Sequence, residues 1–362
     1  MHPQFIDLLC CPRSRAPLSP EVHESRANGM VTSGALVAPD GTRYPIVRGI
    51  PRFVDAQHYA ASFGYEWTRW PRVQFESENV GRPMAGHTKH MWHAITRATA
   101  EQVRGKTIIE FGCGPGRFLD IVRSLGGRAV GIDLSQAVEV ARQNFAHDPD
   151  VLVVQGDILN PPIRTATMDG AYSIGVLHHT PDPQSGLQAL ARTVRRGGWV
   201  ACCVYQKDTF YDWPSVRRFR WVHNRVCKPL LGYRAALLYS YASAYVIEPL
   251  LRRFQHIRGV RRALVYVERN WIVTLHMPDA HWRLLDIFDA ITPEIATTHT
   301  WDEVRAWMQA AGCAAITKSD WGETSAVGIA NGELSISNMG TAGMQTISEN
   351  SQSAIRNSPT PS

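Results

Sequence analysis

Residues 106 to 205 alternate between short apolar runs and segments with helical periodicity. Five apolar runs have the length of buried strands. They span residues 107–111, 128–133, 151–157, 170–177 and 199–205. After the first run, apolar residues recur at helical spacing and the pattern stops at Gly126-Gly127, a typical helix end. Strands that alternate with helices of this length predict parallel pairing and an α/β layer fold.

The chain on either side of this segment differs in character. Residues 1–55 are rich in proline and turn signals and predict a small β-rich unit, whereas residues 56–105 are aromatic and predict a helical segment. Residues 206–290 are helical, aromatic and basic, and the α/β pattern returns near 300, with strands at 314–320 and 325–330. We therefore expect one α/β domain over 106–330 that contains an insert at 206–290. Residues 331–362 lack aromatic residues and predict a disordered tail.

Composition narrows the class of protein. The chain has 362 residues, of which 44% are hydrophobic, enough for a sizeable buried core. Its first residues lack a long apolar stretch, which predicts no secretory signal, and no run of about 18 apolar residues predicts a membrane span. The seven cysteines are odd in number and irregularly spaced, so we expect reduced thiols in a cytoplasmic protein.

The turn after the first strand carries the strongest chemical signal. The segment IIEFGCGPGRFLDIV, residues 108–122, places glycine at 112, 114 and 116. A dinucleotide turn, GxGxxG, would need its third glycine at position 117, which is Arg117. Glycine lets a ligand approach the backbone closely. The spacing therefore weakens the interpretation as a dinucleotide oxidoreductase.

The same spacing resembles the first motif of the class I S-adenosylmethionine-dependent methyltransferases, which is acid-x-G-x-G-x-G. Later strand ends continue the resemblance with GIDLS, VQGDI, SIGVLHHTPDP and VRRGGWV. The resemblance implies a Rossmann-like class I methyltransferase sheet with S-adenosylmethionine as cofactor. It implies that Asp133 binds the ribose hydroxyls and that Asp157 binds the adenine amino group. The cofactor-binding residues expected from it are Glu110, Gly112, Gly114, Gly116, Asp133, Leu134, Asp157 and Ile158.

The first 55 residues resemble the small zinc-ribbon-like family related to the tRNA-methyltransferase activator subunit, through LLCCPRSRAPL and DGTRYPIVRGIPRF. That family holds zinc with paired Cys-x-x-Cys elements. Here Cys10 and Cys11 cannot supply four ligands. We therefore expect a degenerate, metal-free unit.

The aromatic segment SFGYEWTRW, residues 62–70, precedes the core. Similar enzymes place such a segment as a lid over the cofactor. Tyr65, Trp67 and Arg69 are candidates to close the site, with Arg69 meeting a carboxylate. A packed aromatic helix is the open alternative.

The insert carries the positive charge of the chain. Residues 207–283 contain 14 lysines and arginines against five acids, while the whole chain has a net charge of +6. Such a field attracts an acidic acceptor or an anionic membrane surface, with Arg217 and Arg218 as candidate contacts. A solvated helix face is the alternative. No RNA-binding motif is visible, so nucleic acid is a disfavoured partner.

The predicted function is the in-line transfer of a methyl group to a small, acidic acceptor. His178 and His179, at the end of the fourth strand, are candidate bases for a hydroxyl acceptor, or they shape the pocket. Two other functions stay open: a catalytically silent cofactor-binding subunit, and a dinucleotide-dependent oxidoreductase. The acceptor and the oligomeric state cannot be predicted from the sequence.

Overall fold

The computed structural model of the chain describes residues 1–54, 59–257 and 259–331. The predicted disordered tail lies outside the described residues, except for Asn331, and so does Arg258 of the insert.

The first fifty residues form a small antiparallel sheet. Its strands, in order, are β1 (Ser19–Ser25), β2 (Val31–Val37), β3 (Arg43–Val47) and β4 (Ile50–Pro51). Leu36 of this sheet and Leu152 of the central sheet are buried in the same hydrophobic core. The main-chain N–H of Phe53 also donates a hydrogen bond of 2.9 Å to the carbonyl of Gln155. The N-terminal unit therefore packs directly against the central sheet.

Helices and strands then alternate as the apolar pattern predicts. The segment before the core contains α1 (Ala61–Arg69), α2 (Glu76–Asn79), α3 (His87–Thr96) and α4 (Ala100–Val103). The core continues with β5 (Thr107–Phe111), α5 (Arg117–Ser124), β6 (Arg128–Asp133), α6 (Ala137–Asn144), β7 (Val151–Gln155), β8 (Met168–Ile174), α7 (Pro183–Thr193) and β9 (Val194–Val204).

The insert is helical, as predicted. Its helices are α8 (Pro214–Val222), α9 (Lys228–Leu231), α10 (Arg234–Ala242), α11 (Glu248–Phe254), α12 (Val260–Asn270) and α13 (Ala280–Ile291). Single π-helical turns, His223–Cys227 and Ser243–Ile247, join α8 to α9 and α10 to α11. The inner sides of these helices form a core of their own around Phe288.

The chain then returns to the central sheet through α14 (Trp301–Ala310), β10 (Cys313–Lys318) and β11 (Thr324–Ala330). Helix α14 begins with a capping box formed by Thr300 and Glu303. The sheet order is β10-β11-β9-β8-β5-β6-β7, in which β11 runs antiparallel to both neighbours and the remaining pairs are parallel. This sheet contains the seven strands predicted for it, and it confirms the Rossmann-like α/β fold.

The topology fixes where a ligand can bind. Strand β5 is followed in the sheet by β6 on one side and by β8 on the other. In open parallel sheets, ligands bind outside the carboxyl ends of the strands at such a switch point.

Candidate functional site

A cavity of about 360 Å³ opens at the carboxyl edge of β5, β6 and β8, a volume typical of small-molecule sites. Its wall includes the turns that follow β5 to β8, helix α1, residues of α3, the end of β9, and a side formed by the insert with the loop before β11. The strand-end part consists of Glu110, Gly112, Cys113, Gly114, Pro115, Asp133, Leu134, Ile158, Ile174, Gly175 and Val176.

The glycine turn follows β5 and lies against the end of β6. Gly112, Gly114 and Gly116 have φ angles of +77°, +50° and +92°, in the left-handed region that favours glycine. The N–H groups of Gly112 and Cys113 both donate to the carbonyl of Ile132. Gly112 and Gly114 line the cavity, whereas Gly116 caps α5 behind it.

Asp133, the last residue of β6, ties the turn to the sheet. One of its carboxylate oxygens accepts a 2.9 Å hydrogen bond from the N–H of Gly114. The other oxygen accepts from the N–H and the hydroxyl of Ser135, at 2.8 and 2.7 Å. These bonds hold the carboxylate at the cavity wall, between the glycine turn and the end of β6.

The remaining predicted cofactor residues lie around this centre. Glu110 is buried in the cavity wall, where it accepts a 3.2 Å hydrogen bond from the Tyr172 hydroxyl and where burial raises its pKa. Leu134 and Ile158 line the cavity. Asp157 lies next to the lining, and its carboxylate accepts from the N–H of Leu159 at 2.9 Å.

Helix α1 covers the cavity with one side only. Phe63, Glu66 and Trp67 line it, at the i, i+3 and i+4 spacing of a single helix face. A Cβ atom at Gly114 would lie 3.1 Å from the indole nitrogen of Trp67, so this side chain sits directly over the glycine turn.

The other two predicted lid residues do not reach the cavity. Tyr65 stacks on Tyr233 and Phe288 of the insert, with ring centroids 4.7 and 5.8 Å apart, and Arg69 is exposed to solvent. Both are two positions from Trp67, which turns their side chains to the far side of the helix.

Four further carboxylates, which the sequence pattern did not point to, also line the cavity. Asp286 and Asp289 of α13 and Glu323 before β11 line the cavity together with Glu66. Asp289 accepts a 2.8 Å hydrogen bond from the Tyr205 hydroxyl. Both carboxylate oxygens of Glu66 are buried and accept no hydrogen bond within the part of the chain that the structure describes.

The pKa values of these carboxyl groups reflect their burial. Burial, and then the neighbouring charge of Asp289, raise the pKa of Asp286 to about 7. Burial likewise raises the pKa of Glu66, Asp289 and Glu323. Burial disfavours the charged form, so each of these carboxyl groups releases its proton at a higher pH than an ordinary surface carboxylate does.

Arg117 is the permanently charged cation in the described lining. It begins α5, and its guanidinium carbon lies 4.4 Å from the centroid of the Phe118 ring. Burial lowers its pKa, while the charges of Asp286, Glu110 and Asp289 act to raise it. A cation in the first turn of a helix is unfavourable, so the surrounding carboxylates offset its charge. In the sequence, this position stands out only because it lacks the third glycine of a dinucleotide turn.

The environment of the two histidines speaks against the predicted base role. His178 does not line the cavity, because its ring is buried against Tyr205 and its Nδ1 accepts from the N–H of that residue at 3.2 Å. His179 lines the cavity, and its Nδ1 lies 2.7 Å from the carbonyl of Ile295. Burial lowers the pKa of His179 to about 3 and that of His178 well below its usual range. Rings of such low basicity are poor proton acceptors near pH 7.

The structure also separates the insert arginines from the cavity. Arg217 and Arg218 are exposed on α8, and Arg218 packs over the Trp271 ring at 4.7 Å. Arg220 turns inward but donates to the carbonyl of Ala290 at 2.9 Å. Helix α8 packs on α13, and Arg217 and Arg218 stay exposed to solvent.

The N-terminal cysteines have no metal-like arrangement. Cys11 lies 3.1 Å from the Tyr44 hydroxyl, and Cys10 is buried. Across residues 1–54, 59–257 and 259–331, no three His, Cys, Asp or Glu side chains are grouped to hold a metal ion. The resemblance of this unit to the zinc-ribbon-like family stays a prediction.

Comparison with known proteins agrees with this geometry. A family model described as a methyltransferase domain matches residues 109–202, which include the glycine turn and Asp133. These residues form a methyltransferase domain. Its fold is the Rossmann-like class I fold, and its cofactor is S-adenosylmethionine. The match ends before the insert, so α1, α13 and the loop at Glu323 complete the cavity of this methyltransferase domain from outside it.

Curated relatives of the methyltransferase domain are distant. A demethylmenaquinone methyltransferase of Desulfitobacterium hafniense is 28% identical over 148 residues, which cover 39% of this chain and 57% of the relative. A ubiquinone biosynthesis O-methyltransferase of Hydrogenovibrio crunogenus is 31% identical over 104 residues, which cover 28% and 43%. The chain thus spans about half the length of these two relatives.

Among solved structures, a complex of the Haloferax volcanii Trm112 methyltransferase activator with a methyltransferase is 17% identical, with a TM-score of 0.41, covering 76% of this chain and 99% of that chain. An S-adenosylmethionine-dependent methyltransferase from Mesorhizobium loti is 22% identical, with a TM-score of 0.31, covering 37% and 57%.

Proposed function

We propose that the chain transfers a methyl group from S-adenosylmethionine to a small-molecule acceptor by in-line displacement. The observation that carries this proposal is the 2.9 Å hydrogen bond between the Gly114 N–H and Asp133, which joins the glycine turn to the second strand at the cavity. The cofactor, when bound, supplies a methyl group on a positively charged sulfur, which is already a good leaving group. The chain therefore needs mainly to align the acceptor and exclude water.

The adenosine half of the cofactor fits the β5–β6 side of the cavity. Asp133 lines this side, and a carboxylate suits the paired donors of the ribose hydroxyls. Leu134 and Ile158 would flank the adenine, with Asp157 next to its amino group. The bare backbone at Gly114 leaves the turn open to close approach, with Trp67 of α1 as the lid above it.

Arg117 takes the role that the sequence suggested for Arg69. The methionine part of the cofactor carries a carboxylate, and forked hydrogen bonding suits a guanidinium to that group. Arg117 is in the cavity at the start of α5, whereas Arg69 is exposed. No carboxylate oxygen lies within 4 Å of the Arg117 guanidinium in the described ranges, so its donors remain available to a ligand.

The acceptor would bind on the β9 side. The Tyr205 hydroxyl holds Asp289 and the Cys203 thiol holds Glu323, at 2.8 and 3.2 Å, so both carboxylates are fixed near the end of β9. Strand β9 is three strand spacings from β6, or roughly 14 Å. The cavity thus has a cofactor end at Asp133 and an acceptor end at these carboxylates.

The charge of the acceptor end favours an acceptor that donates hydrogen bonds, a hydroxyl or amine compound. Among the described residues, six carboxyl groups and one guanidinium line the cavity. The acidic acceptor expected from the basic insert therefore receives no support from the lining. Asp286, with its pKa near 7, is placed to take up a proton from such a donor during transfer.

The test is methyl transfer from labelled S-adenosylmethionine into a cell extract separated by charge. We expect label in the cationic or neutral small-molecule fraction. Label confined to the anionic fraction would contradict the acceptor chemistry but not methyl transfer itself. If the chain binds the cofactor and labels no fraction, it is the silent cofactor-binding subunit instead.

A further inference from the structure

The insert exposes an unusual amount of apolar surface. Fifteen of the eighteen large apolar side chains that are exposed in the described residues lie between positions 221 and 271. They include Leu230, Leu238 and Trp271, which are 77, 71 and 59% exposed. Single exposed apolar residues are normal on a protein surface, but a concentration of this kind marks an interaction site.

These side chains follow the outer sides of the insert helices. From α8 through its π-helical turn into α9, Val222, Val226 and Leu230 recur at intervals of four residues. From α10 into α11, a second stripe has spacings of three or four residues, apart from one adjacent pair. It consists of Leu238, Tyr241, Tyr245, Val246, Leu250 and Phe254. The opposite sides of both helices are buried in the core of the insert, so the stripes face outward.

Positive charge surrounds the apolar stripes, and exposed negative charge does not. Eight arginines between 213 and 276 are exposed: Arg217, Arg218, Arg225, Arg234, Arg253, Arg261, Arg262 and Arg269. The two carboxylates in this segment, Glu248 and Glu268, are 1 and 6% exposed. His276 lies within 3.4 Å of both, and Arg252 also pairs with Glu248. The described part of this surface is therefore uniformly cationic.

We propose that the outer face of the insert, residues 213–276, docks on an anionic membrane surface. Helices that lie in a membrane interface combine Leu, Trp and Tyr on the buried side with arginines that reach anionic headgroups. A second copy of the same face would bring eight like charges against eight. Nucleic acid would pair with the arginines but would leave aliphatic stripes such as Leu238 and Leu250 without a partner. The surface does not involve the cavity, so this proposal is independent of the proposed function.

Among the described helices, none has the length and apolarity that a membrane crossing requires. The proposed contact therefore runs along the surface of a bilayer. The probe is a vesicle of phosphatidylcholine with 30% phosphatidylglycerol, a composition we choose as about one-third anionic lipid. A vesicle of phosphatidylcholine alone is its neutral counterpart.

The experiment is flotation of the full chain with both vesicles. We expect the chain to float with the anionic vesicles and to remain free with the neutral ones, with weaker binding at 0.5 M salt because exposed charges are then screened. The triple variant R225Q/R253Q/R262Q should lower the partition coefficient on the order of a hundredfold, since each arginine near an anionic surface contributes roughly fivefold. The triple variant L230S/L238S/L250S should lower it by about tenfold or more.

Matched controls use exposed residues elsewhere on the chain. R13Q/R82Q/R196Q removes the same charge, and V22S/V47S/V80S removes apolar side chains that are exposed outside the insert. Both should float as the unchanged chain does, and circular dichroism checks that all variants are folded.

Three results would overturn the proposal. The first is no flotation with anionic vesicles at low salt. The second is an equal loss of binding in the control variants. The third is a different partner for this face, found without flotation. That partner would be DNA if the chain binds a 20-base-pair duplex, R225Q/R253Q/R262Q abolishes the binding and L230S/L238S/L250S leaves it intact. It would be a second copy of the chain if sedimentation shows a dimer that L230S/L238S/L250S dissociates.

Discussion

Asp286 and Asp289 are three residues apart on α13, between side chains that are otherwise buried and apolar. A carboxyl group in that setting releases its proton late, because burial disfavours the charged form. For Asp286 the result is a pKa of about 7, which is close to the optimum for proton transfer at neutral pH. The pair was readable in the sequence as two acids within an apolar helical stripe.

At the residue scale, we predict that the kcat of methyl transfer rises as the pH increases through about 7. Asp286 must lose its proton to accept one, so activity is lost below that pH. Asp286→Asn should lower kcat by about 10²- to 10⁴-fold and flatten this part of the profile. Asp302→Asn, an exposed acid on α14, is the matched control. A pH profile in Asp286→Asn identical to that of the unchanged chain would exclude the proton transfer.

A second residue-scale prediction compares two arginines. Arg117→Gln should weaken the binding of S-adenosylmethionine by roughly ten- to a hundredfold, the usual loss for one hydrogen-bonded charged partner. Arg69→Gln should leave binding unchanged, since Arg69 is exposed on the far side of α1. Calorimetric titration of both variants decides between them. The opposite ranking would restore the assignment that the sequence suggested.

At the scale of elements, the glycine turn depends on its fit beneath α1. Gly114→Ala should weaken cofactor binding, because the new Cβ lies 3.1 Å from the Trp67 indole at a φ of +50°. Gly81→Ala is the control, since its φ of +72° carries a similar strain but the added atom meets nothing within 4 Å. Equal affinity in both variants, measured by calorimetry, would mean that the turn does not face the cofactor.

The elements themselves were largely predictable. The strands of the central sheet follow from apolar runs of strand length, and the capping box at Thr300 follows from residue spacing alone. The lid was predictable only in part. Periodicity places Phe63, Glu66 and Trp67 on one face, but which face turns inward depends on tertiary packing that no local pattern contains. For this reason Trp67 reaches the cavity whereas Tyr65 and Arg69 do not.

At the scale of the whole molecule, net charge was a poor guide to the site. The insert is basic in sum, but its arginines are exposed and its α13 contributes carboxylates to the cavity. A sequence count cannot separate the two sides of an insert, because burial decides which charges a ligand meets. The basic surface and the acidic cavity therefore call for different partners.

This separation predicts that Arg217→Gln with Arg218→Gln leaves the KM of the acceptor unchanged within about twofold. Exposed charges act over about 8–10 Å at ordinary salt, and these two do not line the cavity. Steady-state kinetics at low and high salt provides the measurement. A raised KM with a flattened salt dependence would support the acidic acceptor that the insert first suggested.

We propose that the cavity at the carboxyl edge of β5 and β6 binds S-adenosylmethionine through Asp133. Calorimetric titration of the chain with S-adenosylmethionine and, separately, with a nicotinamide dinucleotide tests it most directly. We predict binding of S-adenosylmethionine alone, weakened by about 1.5–3 kcal/mol, or roughly ten- to a hundredfold, in Asp133→Ala and unchanged in Asp302→Ala. Binding of the dinucleotide in its place, or an Asp133→Ala chain that binds S-adenosylmethionine normally, would contradict the account.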